Sequence, residues 1–145
     1  MMPTLVVSIL ALILAVISLC WQAWSWFRTG PVVRLKTGWA VGVGGLSGRW
    51  IHITAHNTGR SPVQVTGYSL ETPTGMSLVA PIPVPGTAQV PHTLDAGSQA
   101  TFYLDADDVE HRCAQGGYEL KLLQARVTLG NGKAVIARPG IGSVR

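Results

Sequence analysis

The sequence predicts a mainly β fold, a two-sheet sandwich of about seven strands, preceded by one N-terminal transmembrane α-helix. Three observations predict it. Between Pro3 and Phe27 no residue is charged. Beyond that stretch, apolar and polar residues alternate with the period of a strand rather than that of a helix. Turn-forming residues interrupt the alternation about every ten positions, the rhythm of an all-β domain. A chain of 145 residues has room for one such domain and no second. Charged residues make up only 12% of it against 47% apolar, where soluble domains carry about 25% charged residues, so part of the chain belongs in lipid. The expected division is a tail at 1–4, the spanning helix at 5–27, a juxtamembrane linker at 28–31 and the β domain at 32–145.

Residues 5–19 read LVVSILALILAVISL. At 1.5 Å per residue, the uncharged stretch extends for roughly 37 Å, longer than a hydrocarbon core of about 30 Å, so the helix spans with tilt or with one end among the headgroups. Trp21, Trp24, Trp26 and Phe27, followed by Arg28, form an aromatic belt and a cationic stop at the lipid–water boundary. A cleavable signal peptide would begin with positive charge and place small residues before the cut. Here Met1-Met2-Pro3-Thr4 carries no charged side chain, Trp21-Gln22-Ala23-Trp24 is too bulky, and Leu19 precedes Cys20 where a lipoprotein signal would want a small residue. Arg28, Arg34 and Lys36 all follow the span, which puts the N-terminus outside and the C-terminal domain in the cytoplasm. Cys113, alone in the domain, allows no internal disulfide there and agrees with a reducing compartment.

Within the helix, Ser8, Ala11, Ala15, Ser18, Gln22 and Ser25 step by three and four residues alternately, which places them in an arc of about 100°. Lipid supplies no hydrophobic force between helices, so small residues that let backbones approach, with Ser or Gln bonding across, are what an interface uses. The stripe predicts a left-handed homodimer or a small bundle. The competing reading is that Ser and Ala are common in spanning helices and the spacing carries no meaning.

The domain opens with a predicted strand at 32–36, and the four glycines between 42 and 48 read as a flexible turn. Residues 49–56 alternate, with Ile51, Ile53 and Ala55 on one face and Trp50, His52, Thr54 and His56 on the other. The dense turn at 57–62 leads to a strand at 63–70, expected to close a hairpin with the one before. A short strand at 76–80 precedes Pro81-Ile82-Pro83-Val84-Pro85-Gly86, which lacks alternate backbone donors and is expected to cross between sheets as an extended loop. Asp95-Ala96-Gly97 turns into a strand at 98–104. Asp105 then caps a short helix running through Cys113 and closed by Gly116-Gly117. Strands at 122–129 and 133–138 flank Gly130-Asn131-Gly132, a hairpin turn because Gly and Asn tolerate positive φ. About seven strands with one long crossover fit an immunoglobulin-like β-sandwich better than a barrel.

The run Ile51-His52-Ile53-Thr54-Ala55-His56-Asn57-Thr58-Gly59-Arg60-Ser61-Pro62-Val63-Gln64-Val65, with the later Leu94-Asp95-Ala96-Gly97-Ser98-Gln99-Ala100-Thr101-Phe102, has the order strand, Asn-x-Gly-x-x-Pro turn, strand, Leu-x-x-Gly turn, strand. It resembles small immunoglobulin-like modules of bacterial surface and phage proteins. With its anchor, the chain resembles uncharacterised small membrane proteins of high-GC actinobacteria and their phages, and eight Arg against three Lys suit such a genome. The resemblance implies a fold and no activity.

Candidate chemistry is sparse. His52 and His56 share a face but lie roughly 13 Å apart along a strand, too far to hold one metal ion. His111 and Cys113 have no Cys-x-x-Cys or His-x-x-x-His partner motif. Asp105, Asp107, Asp108 and Glu110 lack the glycine and glutamate spacing of a calcium loop, and suit the positive end of a helix dipole. There is no Gly-x-Ser-x-Gly elbow and no phosphate-binding glycine loop. The expectation is therefore no catalytic, cofactor-binding or metal-binding residue, no cofactor and no enzyme. Despite a net charge of +4, the domain has no clustered Lys/Arg face for nucleic acid. The expected partners are the lipid bilayer, a second copy through the helix, and a protein bound by a scaffold or binding module. The alternatives are a phage-encoded accessory to lysis or superinfection exclusion, and an anchored hydrolase.

Overall fold

A long apolar run with no helix breaker after its first turn folds as one helix. In the computed structural model, which describes residues 2–28, 30–43, 45–80, 82–137 and 141, with the backbone alone for 2, 28 and 46, that helix is α1, Met2–Arg28. Pro3 stands in its first turn, where a missing N–H breaks no intrahelical bond. Polar side chains inside the run bond within the helix: Ser8 Oγ donates to the Thr4 carbonyl at 2.9 Å and Gln22 Nε2 to Ser18 Oγ at 3.2 Å. The chain divides into two units, Met1–Gly30 and Pro31–Arg145.

The second unit is a β-sandwich of two antiparallel sheets. Its strands are β1 (Val33–Val43), β2 (Leu46–Asn57), β3 (Val63–Glu71), β4 (Ser77–Leu78), β5 (His92–Leu94), β6 (Gln99–Asp105), β7 (Gln124–Leu129) and β8 (Ala134–Ile136), with helix α2 (Ala106–Gly116) between β6 and β7. One sheet has the order β1-β2-β6; the other runs β4-β3-β7-β8, with β5 also paired to β3. Ile51, Ile53 and Ala55 of β2 and Ala100, Phe102 and Leu104 of β6 pack against Val63, Val65 and Leu70 of β3 and Ala125, Val127 and Leu129 of β7. The alternation read in residues 49–56 is thus the inner face of a buried sheet. Tyr68 stacks on Phe102 across the core, ring centroids 4.6 Å apart. Helix α2 contributes Ala106, Val109 and Cys113 to the same core.

Helix α2 starts and stops where local chemistry dictates. Asp105 Oδ1 accepts from the backbone N–H of Asp107 and Asp108, and Gly117 at φ +73° returns its N–H to Ala114, a left-handed cap that glycine adopts without a Cβ clash. The β7–β8 hairpin turns at Gly130-Asn131-Gly132, as expected, though Arg138 lies outside the described residues.

Four expectations need correction. Strands β2 and β3 do not form a hairpin: β2 pairs with β1 and β6, and β3 with β4, β5 and β7. The turn at 57–62 instead carries the chain from one sheet to the other around buried Asn57, whose Nδ2 donates to the Ser61 and Leu94 carbonyls at 2.8 and 3.0 Å and whose Oδ1 accepts from Gly59 N–H at 3.0 Å. Strand β1 runs well past its expected end at 36, to Val43, and turns into β2 within the glycine-rich stretch, where Val43 pairs with Leu46. A Cβ on Gly38 would stand 2.6 Å from His52 Cε1, so glycine makes room for the imidazole lying across the strand, and Gly42 at φ +68° sits in the register shift between Val41 and Val43. The proline segment joins β4 and β5 within one sheet, and its end edges the other: Ala88 N–H donates to the Thr101 carbonyl at 3.1 Å and Thr87 Oγ1 accepts from Tyr103 N–H at 3.3 Å. Pro81 itself lies outside the described residues. Finally, Trp50, on the face opposite Ile51, is buried.

Candidate functional site

The residues singled out on the helix lie on α1 as follows. Ser8, Ala11, Ala15, Ser18, Gln22 and Ser25 are all exposed, and Gln22 bonds to Ser18 within the stripe. Trp21 and Trp24 meet edge to face with centroids 6.1 Å apart, as do Trp26 and Phe27 at 6.2 Å. The Arg28 side chain lies outside the described residues. The Leu, Ile and Val side chains from Leu5 to Leu19 are 49–66% exposed. An uncharged, largely apolar helix surface of this length has no favourable surroundings in water, and Pro3–Phe27 is long and apolar enough to cross a membrane.

On the sandwich, the outer face of the three-stranded sheet is polar. Across β1, β2 and β6 run the rows Arg34–His56–Gln99, Lys36–Thr54–Thr101 and Gly38–His52–Tyr103. The Thr54 and Thr101 hydroxyls are 3.1 Å apart and the His52 and Tyr103 rings 6.4 Å apart. His52 and His56 occupy different rows with Thr54 between them. His111 is exposed and bonds Gln115 at 3.0 Å, while Cys113 turns into the core. Burial pushes the Cys113 thiol above its ordinary pKa, with Glu110 adding to the effect, so the group stays protonated and inert. Among the described residues no group of three or more His, Cys, Asp or Glu could hold a metal ion.

The acids around α2 are engaged in the fold. Arg49 Nη2 lies 2.8 Å from both Asp107 Oδ1 and Glu110 Oε2, and Arg112 Nε 3.1 Å from Asp108 Oδ2. The hydrogen bonds that Arg49 donates to Glu110 and then to Asp107 raise its guanidinium further above its already high pKa. A small, partly open cleft between α2 and β4 measures about 10 Å³, room for one water. A shallow depression lined by Glu71, Thr72, Pro73, Gly75, Leu122, Gln124 and Ile136 contains one titratable group, Glu71, which already accepts from Arg126 at 3.3 Å.

No family model and no curated protein matches this chain. Two features of the sandwich come to light only in its geometry, one of them with a signal in the sequence. Strand β1, eleven residues long, is an outer strand of its sheet. An unpaired strand edge is a template for another strand. Its first half carries Arg34 and Lys36, charges that discourage nonspecific pairing, and its second half exposes Trp39 and Val41. The alternation Val33, Leu35, Thr37, Trp39, Val41 is the signal that could have revealed it. The second feature is Trp50, whose buried Nε1 has no hydrogen-bond partner among the described residues; nothing in the local sequence foretells its burial.

Proposed function

We propose that this protein is a single-pass membrane protein whose immunoglobulin-like sandwich stands on the cytoplasmic side as a non-catalytic binding or scaffold module. The observation that carries the proposal is α1: 27 residues with exposed apolar side chains along its length, joined to a unit that has its own core. Strand order supports the immunoglobulin-like reading. With β1, β2 and β6 as strands A, B and E, and β3, β7 and β8 as C, F and G, the two sheets match the division of that sandwich class. Helix α2 then fills the E-to-F connection. The β1 edge supplies a surface for strand addition, where backbone bonds give affinity and side-chain pockets give selectivity. Helix pairing through the Ser8–Ser25 stripe doubles that surface and adds avidity. Arg28, Arg34 and Lys36, following the span, favour the cytoplasmic side.

Two measurements on the full chain test this. Alkaline extraction of membranes from expressing cells leaves the chain in the pellet; its release to the supernatant overturns the anchor. For sidedness, Ala96→Cys in an exposed turn is combined with Cys20→Ser, since buried Cys113 does not report. An impermeant maleimide then labels lysed cells and not intact ones. Labelling of intact cells puts the sandwich outside.

A further inference from the structure

The two ends of the sandwich differ in charge. The chain enters at Val32, whose carbonyl accepts from Thr58 N–H at 2.7 Å, so the turn at 58–62 lies at this end. Antiparallel pairing brings two more turns there: Gly97 N–H donates to the Asn57 carbonyl at 2.8 Å, and Gly130 N–H to the Gln64 carbonyl at 2.7 Å. This near end and the first rows of the adjoining outer face carry Arg34, Lys36, Arg60 and Lys133, all exposed, against one acid, Asp95. None of the four bases is in an ion pair among the described residues. Among the described residues the far end carries Glu71, Asp105, Asp107, Asp108, Glu110 and Glu119 against Arg49, Arg112, Lys121 and Arg126, and each of those four bases is bound to a carboxylate. Among the described residues, ion pairing thus uses up the cations of the far end and leaves unpaired positive charge where the chain comes from α1.

The covalent chain limits how far that charge can go. Three residues, and so four Cα-to-Cα steps, separate Arg28, the end of α1, from Val32. At no more than about 3.5 Å per step, the four steps reach roughly 14 Å, within two Debye lengths of about 8 Å at physiological ionic strength. We propose that the near end of the sandwich docks on the anionic headgroups of the bilayer that holds α1, through Arg34, Lys36, Arg60 and Lys133. The proposal rests on the reading of α1 as a membrane anchor. Anionic lipid is the occupant because the tether keeps it within reach of these four charges at all times. Docking by this end turns the far half of the β1 edge, with Trp39 and Val41, away from the headgroups and toward a soluble partner.

The test uses the full chain in lipid nanodiscs, with Cys20→Ser and a donor dye on Ala96→Cys in the near-end turn. The acceptor is a headgroup-labelled lipid, in discs of phosphatidylcholine alone or mixed with phosphatidylglycerol. Energy transfer rises with the anionic lipid and falls back when salt is added. Each basic side chain near an anionic surface is worth about a five-fold change in the docking equilibrium constant, so R34A/K36A/R60A/K133A lowers that constant about 600-fold and cancels the rise. The charge-keeping variant R34K/R60K retains it. Equal transfer in both lipids, insensitivity to salt, an unaltered rise in the quadruple variant, or loss of the rise in R34K/R60K each overturns electrostatic docking. Failure of the chain to co-elute with discs overturns the anchor instead, and co-elution without lipid-dependent transfer overturns the docking alone.

Discussion

Asn57→Ala removes one side chain that holds the two sheets to their crossover. Its amide makes three hydrogen bonds, to the Ser61 and Leu94 carbonyls and from Gly59 N–H, and the residue is fully buried. Each bond is worth about 1 kcal/mol net, and a buried acceptor left without a donor costs about 1–3 kcal/mol. Leu94 is itself fully buried, so its carbonyl is the acceptor left stranded. Allowing for overlap between the two contributions, the loss comes to about 3–4 kcal/mol. For a domain of this size about 4 °C accompanies each kcal/mol, so Tm falls by roughly 15 °C. Scanning calorimetry of the full chain in detergent micelles measures this, and a second reading comes from Cys113, which reacts with thiol reagents only when the core opens. The near-isosteric Asn57→Asp variant separates bonding from packing. It replaces the amide donor by an oxygen facing two carbonyls, and burial raises the carboxyl pKa above its unfolded value. A group whose folded pKa is raised supports stability below the unfolded value and withdraws it as pH rises through the folded one, so N57D is more stable near pH 4 than at neutrality, relative to the parent chain. A Tm loss of only a few degrees in N57A, or no pH dependence in N57D, would refute the idea that this amide holds the crossover.

Three further outcomes are expected. Gly117→Ala forces a Cβ into the left-handed region at φ +73° and costs about 1–2 kcal/mol; an unchanged Tm would mean that the end of α2 relaxes without loss. Burial raises the pKa of both Cys113 and Tyr68 above their usual 9.0 and 10.0. The unfolded chain therefore releases these protons first, and stability declines on the alkaline side. Tm followed from about pH 8 to pH 11 shows the decline, and Cys113→Ala with Tyr68→Phe flattens it; a slope indifferent to both substitutions sinks the assignment. Ala11→Leu with Ala15→Leu closes the small-residue stripe of α1 and abolishes self-association in a membrane two-hybrid assay, whereas undiminished signal removes the stripe as an interface.

Some of this protein is written in contiguous residues. An uninterrupted apolar run makes α1 wherever it stands, Asp105 and Gly117 bound α2 with their own side chain and backbone, and Gly130-Asn131-Gly132 folds a hairpin between the strands beside it. The strict alternation of β2 likewise identifies its inner face before any partner is known. The aromatic belt and the small-residue stripe belong to this local class, being read from spacing on one helix. Which strands pair is a different matter, because it depends on residues far apart in the chain. Ile53 chooses Phe102 on β6 over its neighbour β3, and Asn57 makes the choice possible by satisfying Ser61 and Leu94 at the corner. The burial of Trp50 and the passage of β1 through Gly38 are decided in the same way, by side chains arriving from elsewhere. So is the separation of charge between the two ends of the sandwich: Arg34, Arg60 and Lys133 are scattered in the sequence and meet because antiparallel pairing gathers their turns at one end. Periodicity and capping act within a few residues, while pairing and electrostatic segregation arise only once distant segments are packed together.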